Sequence, residues 1–236
     1  MCTCLLFIAD DIFGLRPGWT EEFAREVNRL EALIPYTIQT RADLLSEERD
    51  VAYLAASGCR KAWLGIESGS QKILDAMHKG ITIDQVRKAS SLLRKAGISQ
   101  AFFLQLGFPG EEAGDIRATT RLIEELLPDD IGISVTYPLP GTRFYEAVKK
   151  ELREKQHWSE SNDLAMMFES PFSPRYYRLL HRYIHKRYRF RQAIALLTGQ
   201  VKAASVNRAI RSILLSPYYL SSAILYHFIL KMEERR

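Results

Sequence analysis

Three short segments combine glycine and proline with polar neighbours in a pattern that suits the binding of a small ligand. They are 64–70 (Leu-Gly-Ile-Glu-Ser-Gly-Ser), 106–111 (Leu-Gly-Phe-Pro-Gly-Glu) and 137–142 (Tyr-Pro-Leu-Pro-Gly-Thr). Each runs from an apolar stretch into a turn, where glycine lets a ligand approach the bare backbone. We therefore expect backbone shaped around a planar ligand such as a nucleoside. The candidate positions in the last two segments are Gly107, Pro109, Gly110, Pro138 and Pro140.

Charged residues next to the same kind of apolar stretch are the second group of candidates. Glu67, followed by Ser68, is predicted either to accept hydrogen bonds from ribose hydroxyls or an ammonium group, or to cap the next helix. Arg41 is predicted either to bind a carboxylate or to pair with a neighbouring acid. Asp10 and Asp11 either contact a metal or a cationic ligand, or form a turn.

The pattern of apolar residues predicts the elements that carry these candidates. Helical patterns separate five runs that are typical of strands, at about 30 residues per strand–helix unit. One helix begins at Thr82 with a capping box to Gln85, and Thr20 is predicted to cap the first helix. This alternation predicts an α/β fold with an open or partial barrel, since eight strands are needed to close one. The strand runs are 4–9, 36–41, 62–67, 101–106 and 131–137.

Charge is divided unevenly along the 236 residues. Residues 1–169 hold 20 Lys and Arg against 26 Asp and Glu, whereas residues 170–232 hold 11 Lys and Arg and no acid. Within the basic part, 175–191 mixes arginine with tyrosine, and 212–230 has 19 residues without a charge. Three cysteines exclude a disulfide framework, and Walker and Gly-x-Gly-x-x-Gly nucleotide motifs are missing from the sequence.

Taken in order, the segments resemble the radical SAM superfamily, and most closely the branch that is often fused to a cobalamin-binding domain. The resemblance covers about the first 150 residues. It implies a partial (β/α)6-type barrel in 1–150, starting at the second strand, and a basic, aromatic helical extension in 151–236. The segments that carry the resemblance are 7–13, 39–43, 65–71, 77–80, 97–98, 107–111 and 137–142.

The resemblance also implies the cofactors. S-adenosylmethionine would lie across the carboxyl ends of the strands, with the segment at Asp10 and Asp11 near its methionine part and Glu67 near its ribose or amino group. A [4Fe-4S] cluster would pass an electron to the sulfonium, and cobalamin is expected in the full-length protein. The cluster ligands of the family follow the pattern Cys-x-x-x-Cys-x-x-Cys, which Cys2, Cys4 and Cys59 do not form.

These observations leave two hypotheses for function. The chain is either the C-terminal part of an enzyme for methylation, cyclisation or rearrangement, inactive alone, or a degenerate, non-catalytic barrel that acts as a binding or membrane-docking module. The expected partners are a small or lipid-like substrate and a missing N-terminal segment or partner chain. The basic tail predicts an anionic membrane surface as a further partner, whereas nucleic acid is not expected. The expected location is the cytoplasm, including the membrane surface that faces it.

Overall fold

A computed structural model describes residues 5–152, 167–201 and 206–234 of the chain. Its five strands form one parallel sheet in the order β1-β2-β3-β4-β5, curled into a half-barrel with surrounding helices. The predicted α/β partial barrel is therefore confirmed. The strands are β1 (Leu6–Phe7), β2 (Tyr36–Thr40), β3 (Cys59–Glu67), β4 (Ser99–Leu106) and β5 (Asp130–Val135).

Helices follow the strands in the first part of the chain and succeed one another in the last part. The segments 175–191 and 212–230, both predicted to be helical, lie largely in helices, with a break at Leu215. In the described ranges, no helix is long and apolar enough to span a membrane. The helices are α1 (Trp19–Arg29), α2 (Glu48–Ala56), α3 (Gln71–Ala76), α4 (Ile83–Lys95), α5 (Ala113–Leu126), α6 (Arg143–Val148), α7 (Pro174–Leu197), α8 (Val206–Leu214) and α9 (Ser216–Glu233).

Two compact units make up the chain. The first comprises Met1–Leu104 and Pro128–Gly132, and the second comprises Gln105–Leu127 and Ile133–Arg236. We call them unit 1 and unit 2 and describe each by itself. The domain boundary predicted near residue 150 stays a prediction.

Unit 1 is built on one apolar layer between sheet and helices. Ala62, Leu64 and Ile66 of β3 are completely buried, because alternate residues of a strand point to the same face. The opposite face of β3 is half-exposed and carries Trp63, whose ring stacks on Phe103 with centroids 4.5 Å apart. The alternation leaves Gly65 and Glu67 on this second face.

Of the two predicted helix caps, Thr82 is confirmed and Thr20 is wrong. Thr82 caps α4 through the predicted capping box, accepting from the backbone N–H of Gln85. Thr20 does not cap α1: the cap is Gly18 in the left-handed conformation, and the helix already begins at Trp19. The first strand is also shorter than the predicted 4–9, since only Leu6 and Phe7 pair with β2.

Candidate functional site

Glu67 ends β3 in an uncommon backbone conformation. Its φ is +63°, in the left-handed region, and the pairing with β4 shifts register between Gly65 and Glu67. A left-handed non-glycine residue costs on the order of 1–3 kcal/mol, so its surroundings must hold it in place. They do so through Lys79, whose Nζ lies 2.6 Å from Glu67 Oε1. The predicted alternative, a cap on α3, is not what the carboxylate does here.

Gly65 makes room for this ion pair. A Cβ at residue 65 would lie 3.1 Å from Glu67 Oε1 and 3.2 Å from Lys79 Nζ. Any larger side chain would therefore displace one partner. The missing side chain at Gly65 thus lets the charged ends of Glu67 and Lys79 lie close to the backbone of β3.

The loop that carries Lys79 is fixed from the other side by Gln71. The amide of this side chain donates to Ile81 O at 3.1 Å and accepts from the N–H of Ile83 at 3.1 Å. His78 and Gly80, on either side of Lys79, both have positive φ. Lys79 was not among the candidate residues from sequence. The signal that could have found it is the His-Lys-Gly triplet 12 residues after the strand-end glutamate.

Arg41 and Asp43 form a second ion pair, at the end of β2. The guanidinium donates from Nε to Asp43 Oδ1 at 2.9 Å and from Nη2 to Asp43 Oδ2 at 3.1 Å. Of the two alternatives for Arg41, the pairing with a neighbouring acid is the one observed. A Cβ on Gly80 would lie 3.7 Å from Arg41 Nη2, so the two ion pairs are neighbours.

Asp10 and Asp11 lie on an exposed loop after β1. Two backbone bonds attach this loop to β2, from Ile8 N–H to Thr37 O and from Phe13 N–H to Gln39 O. The loop thus crosses near the end of β2, but both carboxylates remain exposed to solvent. Among the described residues, no cluster of three or more His, Cys, Asp or Glu is arranged to hold a metal ion.

Ser68 is fully buried, and its hydroxyl accepts a hydrogen bond from the Ser70 N–H at 3.1 Å. Its own N–H donates to Ile66 O at 2.8 Å. Ser68 therefore shapes the turn after Glu67. A direct contact with a ligand stays a prediction.

In unit 2, Glu111 holds the turn that follows β4. The carboxylate is 1% exposed, and its Oε2 accepts from the N–H of Gly107 at 2.6 Å. The Glu111 N–H in turn donates to Phe108 O at 2.9 Å. Gly107 and Gly110 have φ values of +84° and +79°, which explains why glycine stands at both places. Pro109 and Gly110 face solvent at the tip of the turn.

Burial of Glu111 changes its acidity. Desolvation raises its pKa to about 7, against the opposing effect of the Gly107 hydrogen bond. Its second oxygen, Oε1, has no hydrogen-bond partner among the described residues. Tyr177 of α7 is also completely buried, and burial followed by the Glu111 charge raises its pKa. Glu111 lies within the 106–111 segment, but no feature of the sequence predicts that its side chain is buried.

The turn after β5 lies beside the turn after β4. Thr136 donates from its N–H to Leu106 O at 2.7 Å, and Phe108 stacks on Phe144 with centroids 5.2 Å apart. Pro138 is buried, and Pro140 is exposed near the start of α6, which Thr142 caps. The structure therefore brings together the two Gly/Pro turns that the sequence singled out. That the candidates of unit 1 share one hollow with them stays a prediction.

Comparison with known proteins identifies the family. The model of the radical SAM superfamily matches residues 6–123, which is half of the chain. The chain belongs to the radical SAM superfamily. The members of this family use S-adenosylmethionine and a [4Fe-4S] cluster.

One relative by sequence is an uncharacterised methyltransferase of Pyrococcus horikoshii, 29% identical over 150 residues. That match covers 63% of this chain and 32% of the relative, so the chain spans about a third of the relative's length. Two solved structures share the fold at low identity. The cobalamin-dependent S-adenosylmethionine radical enzyme OxsB has a TM-score of 0.64 at 15% identity, over 96% of this chain and 39% of that one. The radical S-adenosylmethionine methyltransferase TsrM of Kitasatospora setae has a TM-score of 0.55 at 21% sequence identity, over 62% of this chain and 28% of that one.

Cys59, the cysteine within the described residues, is poorly suited to bind a cluster. Cys59 is buried at the start of β3, its thiol donates to Lys61 O at 3.7 Å, and burial raises its pKa to about 12. A cluster ligand must be a thiolate, which such a pKa opposes. Glu67 stands eight residues on along the same strand, roughly 26 Å away at ~3.3 Å per residue. Cys2 and Cys4 lie outside the described residues.

We predict that replacing Glu67 by glutamine destabilises the chain. Glu67→Gln leaves the Lys79 ammonium, whose side chain is 24% exposed, without its carboxylate. Because the pair is partly buried, we expect a loss of about 1–2 kcal/mol in the free energy of unfolding, measured by urea denaturation. Glu47→Gln is the matched control, since Glu47 pairs with Lys88 at 3.3 Å on the exposed surface. Equal losses for both variants would contradict this account.

A second prediction concerns the pH dependence of stability. The Glu111 carboxyl binds a proton more tightly in the folded chain than in the unfolded one, where its pKa is near 4.5. Its contribution is therefore complete below about pH 4.5 and is lost as the pH rises towards about 7, by at most about 3 kcal/mol. Glu111→Gln removes this titration. The stability of the variant relative to the unmodified chain should be higher at about pH 8 than at about pH 5.

Urea denaturation at the two pH values tests this expectation. Glu48→Gln, at an exposed carboxylate in the first turn of α2, is the control, and its difference from the unmodified chain should stay constant. A difference for Glu111→Gln that does not change with pH would show that this carboxyl does not titrate in the range.

Proposed function

We propose that this chain supplies the S-adenosylmethionine-binding part of a radical SAM enzyme that performs methylation or related radical chemistry. The observation that carries the proposal is the Glu67–Lys79 ion pair at the carboxyl end of β3. In a protein of this family, a partly buried charge pair at a strained backbone position of that strand end is best explained by ligand binding.

The residues of each unit suggest a role in holding the cofactor. In unit 1, Glu67 presents a fixed carboxylate that can accept hydrogen bonds from hydroxyl or ammonium groups. In unit 2, the turn 107–111 presents exposed Pro109 and Gly110 on a backbone that Glu111 keeps rigid. Such a preformed turn lowers the entropy cost of binding a flat ring. Sites on strand ends and turns of this kind orient the ligand and leave the chemistry to the cofactor.

The cluster must obtain its thiolates elsewhere. Since Cys59 is buried and poorly acidic, and the sequence has no Cys-x-x-x-Cys-x-x-Cys, we propose that a further segment or a partner chain provides the ligands. OxsB is a cobalamin-dependent enzyme and TsrM has cobalamin bound, so we propose cobalamin as a second cofactor of the full-length protein.

The location of Cys59 also supports the second hypothesis, a barrel that binds ligand without catalysis. The enzyme and the binding module can be distinguished by whether a source of cluster ligands exists. A Cys-x-x-x-Cys-x-x-Cys segment in frame with this sequence, or on a chain that co-purifies with it, supports the enzyme. Saturable binding of S-adenosylmethionine without any such source favours the binding module.

Equilibrium dialysis of the chain against labelled S-adenosylmethionine tests the site. We expect saturable binding, weakened about tenfold in Glu67→Gln, because a hydrogen bond to a charged group is worth roughly 1.5–3 kcal/mol. Glu47→Gln, which disturbs only a surface ion pair, should bind like the unmodified chain. Circular dichroism confirms that the variants are folded at the temperature used. No binding, or equal affinities for the two variants, would contradict the assignment of Glu67.

Anaerobic reconstitution with iron and sulfide tests the proposed origin of the cluster ligands. The chain alone should fall well short of one [4Fe-4S] cluster per molecule, as measured by iron and sulfide analysis. Cys59→Ser should leave the small amount of bound iron unchanged, because the thiol is buried at the start of β3. A full cluster on this chain, or its loss in Cys59→Ser, would refute this part of the proposal.

A further inference from the structure

The solvent face of α9 is largely apolar, unlike that of an ordinary surface helix. Large apolar side chains are 41–61% exposed along its length, whereas Ala223 and Leu230 are buried. At about 100° per residue, the exposed side chains share less than half of the helix circumference. They are Tyr218, Leu220, Ile224, Leu225, Phe228 and Met232. We call these six side chains the α9 ridge.

The preceding helix also carries exposed apolar side chains. Ile210 and Leu214 of α8 stand four residues apart, on one face, and are 51% and 73% exposed. Arg211 beside them is exposed as well. Large apolar side chains that are exposed together on one helix face indicate an interaction surface, because apolar residues that are exposed singly are common on protein surfaces.

A row of arginines runs along α7. Arg178, Arg182 and Arg189 are exposed and lie on one face, at spacings of four and seven residues. Within the part of the chain that the structure describes, none of the three pairs with a carboxylate. We call them the α7 arginine row; with a rise of ~1.5 Å per residue, it is roughly 17 Å long.

The arginine row borders α9. Helices α7 and α9 are antiparallel, since Lys186 donates to Tyr218 OH at 3.0 Å and Arg175 pairs with Glu233 at 3.5 Å. Arg175 and Lys186 lie on the face of α7 next to the arginine row. The row therefore flanks the helix that carries the apolar ridge.

We propose that this surface of unit 2 docks on an anionic phospholipid membrane. An interfacial helix buries apolar side chains at the boundary of the acyl chains while neighbouring cations contact lipid phosphates. The α9 ridge supplies the first requirement and the α7 arginine row supplies the second. Charge complementarity decides between occupants: residues 170–232 hold 11 basic residues and no acid, so a second copy of the same surface would be repelled.

The proposal concerns where the protein acts and does not depend on the proposed radical chemistry. An RNA backbone would engage the arginines but leave the ridge exposed to water, so it explains only half of the surface. The membrane explains both halves. A membrane-bound enzyme would also have direct access to substrates dissolved in lipid.

Co-sedimentation of the whole chain with vesicles tests the proposal. We expect binding to phosphatidylcholine vesicles that contain about 30% phosphatidylserine, and at least about tenfold weaker binding to pure phosphatidylcholine. Binding should fall further as salt rises from about 0.1 M to about 1 M, where the Debye length shrinks to roughly 3 Å.

Two sets of variants separate the apolar and the charged contributions. Ile224→Gln with Phe228→Gln removes the centre of the ridge, and Arg178→Gln, Arg182→Gln and Arg189→Gln together remove the row. Each set should weaken binding to the anionic vesicles, the arginine set on the order of tenfold to a hundredfold. The controls are Leu30→Gln, at a leucine 61% exposed in unit 1, and the triple change Arg25→Gln, Arg49→Gln and Arg60→Gln at exposed arginines of unit 1.

Several outcomes would overturn the proposal. They are no vesicle binding, equal binding to both kinds of vesicle, or controls that weaken binding as much as the test variants. Sedimentation velocity without vesicles covers the alternative occupant, since a dimer that dissociates in the ridge variants would show that a second copy covers the surface. Circular dichroism checks folding, and the arginine set remains informative if the ridge set unfolds, because its side chains are exposed.

Discussion

The candidate site in unit 1 depends on holding one carboxylate against its backbone preference. Glu67 takes a left-handed φ at a register shift, and the ion pair with Lys79 offsets this cost. Other local features follow from the pair. Glycine at residue 65 leaves space for the pair, and Gln71 clamps the loop that brings Lys79 back to the strand end. The strained conformation of Glu67 is thus supported directly by Lys79, and indirectly by the space at Gly65 and by the hold of Gln71 on the loop.

A carboxylate also organises the turn in unit 2, by a different principle. Glu111 is hidden from solvent, and its bond to the Gly107 N–H replaces only part of the hydration it loses. The result is a raised pKa and an oxygen without a partner among the described residues. Burial of this kind rigidifies a turn but makes it sensitive to protonation. Unit 1 thus uses a neutralised ion pair, whereas unit 2 uses a single desolvated acid.

Much of the fold was predictable because it rests on periodic patterns. The alternation of apolar runs with helical patterns predicts the parallel sheet, and Thr82 with Gln85 predicts a helix start correctly. Thr20 fails because a glycine two residues earlier takes the left-handed conformation and starts the helix first. The pairings at the site were not predictable in the same way. Lys79 reaches Glu67 through a loop whose path depends on positive φ at His78 and Gly80, which residue types alone do not reveal.

The exposed faces of the unit 2 helices were also not predictable from residue types alone. Sequence alone shows that residues 170–232 are basic and that 212–230 carries no charge, but not which side of the helix faces water. Packing settles this: α7 turns its tyrosines inward, and contacts at Tyr218 and Glu233 fix how α9 lies against it. Ala223 and Leu230 face inward, and the six side chains of the α9 ridge lie on the opposite side of the helix and face outward. The six side chains of the α9 ridge therefore gain little from burial within the chain, and packing against the core does not account for their apolar character.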